Sequence, residues 1–326
     1  MSYSEFGGCL PFELLVDKNG REYFDSKEYN VKRLNCGRSA IVLAIRTSKA
    51  IRVFLPIYIC DSVKNAVQNE GCQIEYYHIN EDFFPEVDDI NKDDILIWVN
   101  YFGIFGNAVI KEIVSRYENV IIDNTQAFFC EPNKDAYNIY SCRKFVGVPD
   151  GAYLISPTEI IGNFETDVSS DRSSFLLKAW EQGSNSAYTL SKNNEDSFSY
   201  SGIRGMSLLT QRILLNVTYE TIIEKRIENY RYIHDKLKNF NLLKCDLENG
   251  VVPMIYPFVY KSDTMREYLI DNKVFVPTWW RSVKNSNPND IENGFVDYLY
   301  PLPIDQRYTI DDMERIIEIV LMGIET

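Results

Sequence analysis

Residues 120–156, VIIDNTQAFFCEPNKDAYNIYSCRKFVGVPDGAYLIS, decide how the rest of the chain is read. Three short apolar runs stand in this stretch: Val120 to Asp123, Ala136 to Ser141 and Ala152 to Ser156. Each is too short for a helix and rich in β-branched or aromatic residues, so each reads as a strand. The first runs into Asp123-Asn124-Thr125-Gln126 and the second into Ser141-Cys142-Arg143-Lys144. The turn residues Gly147-Val148-Pro149-Asp150-Gly151 lead into the third. Polar residues placed directly after apolar strands fit an α/β sheet, whose ligands bind beyond the carboxyl ends of its strands.

Working outward toward the N-terminus, strand-like runs at Ile95 to Tyr101, Gln73 to Ile79 and Arg52 to Ile59 alternate with helix-like stretches. Those stretches are Arg38 to Thr47, Asp61 to Glu70 and Asn107 to Tyr117, with Asp61 read as an N-cap and Gly71 as a helix stop. Continuous apolar strands alternating with helices imply a mostly parallel sheet covered on both faces. On the C-terminal side, Ser184 to Gly202 is polar and rich in Ser and Asn, which reads as a long loop. Ser207 to Phe240 carries apolar residues at spacings of three and four, the mark of one long helix or a pair of helices. From Leu242 onward a strand (VVPMIYPFVY) mixes with helices at Asp263 to Asp271 and Ile310 to Met322, which reads as a smaller α+β unit. The expected division is 1–205 for a large α/β domain and 206–326 for the long helix and the small domain.

The 326 residues suggest two domains, or one large domain with an appendage, at roughly 150 residues each. Hydrophobic residues make up 45% and charged residues 25%, enough to build an ordinary globular core. With 34 Lys plus Arg against 47 Asp plus Glu, the net charge is −13. That argues against general binding to nucleic acid or anionic membranes and leaves room for a local basic pocket. Two histidines, His78 and His234, leave little room for a His-rich metal site, so no metal is expected. The seven cysteines contain no C-x-x-C pair, which fits reduced thiols rather than a zinc or dithiol centre. The first residues, MSYSEFGGCLPFELL, lack the pattern of a signal peptide, and no apolar run approaches the roughly 18 residues of a membrane span. A cytoplasmic protein is expected.

Four local features carry chemistry. Cys36-Gly37-Arg38-Ser39 opens a helix, where free amides and the helix dipole form an anion site or simply an ordinary N-terminus. Asp123 at the end of its strand could ligate Mg²⁺, bind a ribose, pair with a protonated ring nitrogen, or only start a turn. Lys144, twenty-one residues later, is either surface charge or a nucleophilic amine. Gly147 to Gly151 reads as a reverse turn.

Taken in order, these features resemble the fold-type-I pyridoxal-phosphate enzymes. More narrowly, the chain resembles the DegT/DnrJ/EryC1/StrS family of sugar aminotransferases. VFLPIYICDSV, VNYFGIFGN, VIIDNTQAFF and YSCRKFVGVPDGAYLIS resemble successive strand motifs of that family. GMSLLTQRILLNVTYETIIEKRIENYRYIHDKL resembles the family's helix after its Met-Ser/Thr signature, and the likeness runs from about residue 30 to 320. It implies a fold-type-I α/β large domain with a mostly parallel sheet, a smaller α+β C-terminal domain, and pyridoxal 5′-phosphate as cofactor. Carried across residue by residue, Lys144 would bond to the cofactor aldehyde and Asp123 would pair with the pyridinium nitrogen. Gln126 would hydrogen-bond near the phenolic oxygen. Gly37, Arg38, Ser39 and Ser141 would hold the phosphate. The resemblance further implies a homodimer acting on small molecules: an amino-acid donor such as glutamate and a keto-sugar nucleotide or similar carbonyl acceptor.

The sequence departs from the family at several points. Ile139 stands where a serine is usual, Gly151-Ala152 replaces a Gly-Gly pair, and the family's asparagine before the Met-Ser/Thr signature has no counterpart in residues 201–206. The position of the usual stacking aromatic is Cys60, with Tyr58 nearby. These departures bear on the acceptor, and they leave open another pyridoxal-phosphate reaction, a dehydratase or lyase, or a non-catalytic binding module on the same fold. Pro277-Thr278-Trp279-Trp280-Arg281 offers indoles either to a substrate face or to core packing. Asp305 and Arg307, in a turn resembling the family's LP-x-D segment, read as a structural salt bridge.

Overall fold

The computed structural model describes residues 20–24, 27–200 and 202–325. Cys9 and the N-terminal stretch read for a leader lie outside the described residues.

The first half alternates strands and helices, as the apolar runs predict: β1 (Asn30–Leu34), α1 (Gly37–Ser48), β2 (Arg52–Pro56), α2 (Asp61–Asn69), β3 (Gln73–Ile79), β4 (Pro85–Glu86), β5 (Ile95–Val99), α3 (Asn107–Arg116), β6 (Val120–Asp123), β7 (Tyr137–Ser141) and β8 (Ala152–Ser156). They form one eight-stranded sheet in the order β1-β8-β7-β6-β5-β2-β3-β4. The central ladders from β3 through β2, β5 and β6 to β7 are parallel, and β8 lies antiparallel between β7 and β1. Every residue of β5, β6 and β7 is buried, which explains why their sequences run apolar without alternation. In register, Asp123 stands beside Val99 of β5 and Ile139 of β7. The parallel strands therefore deliver Asn100, Asp123 and Ser141 to one edge of the sheet.

Two readings of this half need correction. Asp61 is the first residue inside α2, and Cys60 holds the N-cap position without a side-chain bond. The segment read as a long loop is largely helical: after α4 (Ser174–Gln182) comes α5 (Tyr188–Ser197). The only buried residue of α5 is Asn194, so it has no apolar stripe for periodicity to detect. Polar partners hold it instead. Asn194 donates to the Pro149 carbonyl at 2.7 Å and accepts from Arg172 at 3.1 Å. Just beyond α5, Phe198 lies between the guanidinium groups of Arg143 and Arg172, each 4.6 Å from its ring.

The remainder comprises α6 (Leu208–Leu214), α7 (Tyr219–Leu237), β9 (Ile255–Val259), α8 (Met265–Asp271), α9 (Asp290–Tyr298), β10 (Leu299–Pro303) and α10 (Ile310–Glu325). The stretch from Ser207 to Phe240 is thus a pair of helices, of which Ser207 caps the first by accepting from Thr210 N–H. β9 and β10 form an antiparallel pair whose Tyr256, Phe258, Tyr300 and Leu302 are fully buried. The apolar core continues from the large sheet into this part, where Phe83 stacks on Phe295 at 5.0 Å. Asp305 and Arg307 form the expected salt bridge, at 2.7 Å and 2.8 Å. No helix among the described residues is long and apolar enough to cross a membrane.

Candidate active site

At the carboxyl edge of the sheet, Asp123 is buried, only 4% exposed. One of its oxygens accepts the Thr125 backbone N–H at 3.0 Å, an Asx turn that fixes the carboxylate and bends the chain off β6. Thr125 also reaches the next strand: Lys144 Nζ donates to its hydroxyl at 3.2 Å. After Ser141 ends β7, residues 142–144 make a single 3₁₀ turn, closed by the N–H groups of Phe145 and Val146 on the Cys142 carbonyl. That turn carries Arg143 and Lys144 to the strand end on which Asp123 sits.

The start of α1 lies beside the Asp123 turn. Cys36 takes the N-cap position with extended backbone, no side-chain cap and no acidic residue in the first turn. The amides at that end are therefore presented without a competing carboxylate on the helix. Gly37 packs close to Thr125: a Cβ there would lie 3.3 Å from Thr125 Cγ2. A larger residue at 37 would push α1 away from the Asp123 turn.

A cavity of about 80 Å³ brings together six of the seven expected residues: Gly37, Arg38, Asp123, Gln126, Ser141 and Lys144. Ser39 stands apart. Its hydroxyl donates to Asn35 Oδ1 at 2.8 Å, and it borders a neighbouring cavity of about 370 Å³ that shares Arg38 and Ser62 with the first. Gln126 is buried and accepts the Phe102 N–H at 2.7 Å, which leaves its amide N–H₂ as the available donor. Tyr58 does not reach the cavity. It is fully buried beneath Trp280, with ring centroids 4.9 Å apart, and its hydroxyl donates to the Trp279 carbonyl. The aromatic ring on the cavity wall is Trp280, beside Cys60, whereas Trp279 stacks on Phe102.

Sequence reading missed three members of the site, Thr125, Arg143 and Glu195. Thr125 lies inside the Asp-Asn-Thr-Gln feature, and its contact with Lys144 depends on β7 pairing beside β6. Glu195 had no signal at all: it is one acid in a polar segment. From α5 its carboxylate bridges Arg38 at 2.6 Å and Arg143 at 2.5 Å. Burial pushes the Glu195 carboxyl up, but Arg143, then Arg38 and Lys144, outweigh that and hold it below the usual carboxylate range. Arg143 Nε is buried and has no hydrogen-bond partner among the described residues. Among the described residues no three His, Cys, Asp or Glu side chains gather where they could hold a metal ion.

This mostly parallel eight-stranded sheet with its helices has the fold seen in fold-type-I aminotransferase structures. Solved structures share it across nearly the whole chain. The sugar aminotransferase CalS13 from Micromonospora echinospora superposes with a TM-score of 0.65 at 15% identity, over 91% of this chain and 89% of that one. NtdA from Bacillus subtilis, solved with bound cofactor PMP, gives 0.64 at 15% identity, over 91% and 73%. A DegT DnrJ EryC1 StrS aminotransferase from Brucella abortus gives 0.56 at 13% identity, over 90% and 85%. Neither family models nor curated protein sequences give a match to this chain. At such identity the likeness establishes the fold, and the chemistry rests on the site.

Proposed function

We propose that the chain is a pyridoxal-phosphate-dependent aminotransferase. In this reading the amino group comes from an amino acid, glutamate first among candidates, and goes to a keto-sugar nucleotide or similar carbonyl. The observation that carries it is the convergence of Lys144 and Asp123 on one residue: Thr125 accepts from Lys144 Nζ at 3.2 Å and donates its N–H to Asp123 at 3.0 Å.

The donor set fits the cofactor. Asp123, buried and turned by its Asx bond, would hold a proton on the ring nitrogen. The Gln126 amide would donate to the phenolic oxygen, and the uncapped start of α1 with Ser141 would take the phosphate. Pyridoxal phosphate bound there supplies an electron sink for a carbanion at the substrate α-carbon. Lys144 Nζ would move the proton to and from that carbon as general base and acid, with the Thr125 hydroxyl steering the amine. Ser39 would act indirectly, through Asn35, in holding the first turn of α1.

The exposed apolar residues of the adjacent α4–α5 region, Leu177, Trp180 and Tyr188, support a homodimer that covers this face. A two-part organisation at 1–205 and 206–326, a cytoplasmic location and a role in polysaccharide or secondary-metabolite synthesis belong to the same proposal. Titration of purified protein with pyridoxal phosphate tests it, followed by addition of glutamate. A visible absorbance band should form and then shift toward the near-ultraviolet as the cofactor is aminated. A band that glutamate leaves unchanged would point to another donor or to a dehydratase or lyase reaction. No band at all would overturn the reading.

A further inference from the structure

The cavity that gathers Lys144, Asp123 and the start of α1 is small for its task. Small-molecule sites usually enclose about 300–1,000 Å³, whereas this one has about 80 Å³. Glu195 forms part of its wall. Three cations, Arg38, Arg143 and Lys144, act on this one carboxylate, in a chain whose net charge is −13. Its two oxygens take one guanidinium each, Arg38 at 2.6 Å and Arg143 at 2.5 Å, as a bound oxyanion would. The pair is not fully satisfied by it, since Arg143 Nε is buried without a partner among the described residues.

We propose that Glu195 holds the place of a phosphate monoester at the Arg38–Arg143 pair, so that a phosphorylated ligand seats fully only by displacing this carboxylate. The inference rests on the reading that the ligand's phosphate lies at the start of α1. The displacement needs no unfolding. The Glu195 side chain is 44% exposed, so it can rotate into water while α5 stays anchored through Asn194 on the Pro149 carbonyl and Phe198 between its two guanidiniums. Rotation enlarges the cavity and exchanges one carboxylate charge for a phosphate dianion. The carboxylate acts as an internal competitor that sets a threshold: anions weaker than phosphate do not dislodge it. Such a contact also prevents two adjacent arginines from repelling each other before the ligand arrives.

The test is calorimetric titration of inorganic phosphate into the full chain, as wild type, E195Q, E195A and E195Q combined with R143M. Both single variants remove the competing charge at a half-exposed position, while α5 keeps its Asn194 bond to the Pro149 carbonyl. They should bind phosphate at least tenfold more tightly than wild type, and the added R143M should cancel the gain. Equal or weaker binding by both single variants would overturn the proposal and make Glu195 a positioning residue for the arginines. Pyridoxal phosphate and unphosphorylated pyridoxal separate this inference from the functional reading. Here E195Q should tighten only the phosphorylated compound. If E195Q gains affinity for inorganic phosphate while neither compound gives a visible band, the placeholder stands and the aminotransferase reading fails.

Discussion

Asp150 accepts two hydrogen bonds from Ser207, one from its backbone N–H at 2.8 Å and one from its hydroxyl at 2.6 Å. The Thr210 hydroxyl donates to the same carboxylate. Asp150 is fully buried six residues after Lys144, and Ser207 is the N-cap of α6. The contact therefore ties the turn that carries the candidate catalytic lysine to the start of the helix pair. It also gives a structural reason for the Met206-Ser207 pair noted in the sequence.

Asp150→Ala leaves two hydroxyls and a helix-start amide without their acceptor in a dry site. The expected loss is about 2–4 kcal/mol, seen as a thermal midpoint several degrees lower. Asp150→Asn, which keeps the shape and part of the bonding, should lose less. Differential scanning calorimetry of the two variants checks the order.

Gly103 is the second structural constraint. It adopts φ +71, and a Cβ there would lie 2.3 Å from the Gln126 carbonyl oxygen and 3.2 Å from Met254 N. Gly103→Ala therefore meets both backbone strain and a backbone clash, and should cost about 2–4 kcal/mol. Because Phe102 N–H is the partner of the Gln126 side chain, any pyridoxal-phosphate affinity should fall together with the melting temperature.

Asp123→Asn separates charge from shape. An asparagine oxygen can still accept the Thr125 N–H, so the melting temperature should stay within about 2 °C of wild type. The proposed transamination should slow by about 100-fold or more, because the ring nitrogen loses its anionic partner. Paired melting and steady-state measurements distinguish this from a merely structural role, which would move both.

Acid should destabilise the fold through identifiable carboxylates. The bidentate bond to Arg52 holds Asp94 below its usual range against burial. At Asp305, burial raises the carboxyl, and Arg307 with Arg226 more than reverses it. The unfolded chain takes up these protons at ordinary carboxylate pKa values and the folded chain only at lower pH. Stability is therefore fully present above the unfolded values and is lost as pH falls from about 5 toward 3. Asp94→Asn should be less stable than wild type at neutral pH, and the gap should narrow across that window. Melting curves at stepped pH would contradict the account if the gap were constant.

The sheet was legible because β5, β6 and β7 are buried on both faces and so carry unbroken apolar sequence. Asp123 and Lys144 were legible as candidates because Asp123 closes one such run and Lys144 stands three residues beyond the next. What escaped was held by polar contacts. α5 buries only Asn194 and is fixed by Arg172, Pro149 and the arginines around Glu195, so no hydrophobic period marks it. Asp61 was misread as a cap because an acid suits either the N-cap or the first turn, and only backbone geometry separates them. Ser39 has the residue type of a phosphate ligand, and its commitment to Asn35 depends on a contact that side-chain chemistry alone does not specify.

The central claim is that Lys144 is the amine that carries the cofactor. Purified protein would be incubated with pyridoxal phosphate, reduced with borohydride, digested, and the modified lysine located by mass spectrometry. The account predicts one stoichiometric pyridoxyl adduct on Lys144, absent from Lys144→Ala, which should remain folded and colourless. An adduct spread over surface lysines, or an unmodified Lys144 in protein saturated with cofactor, would contradict it.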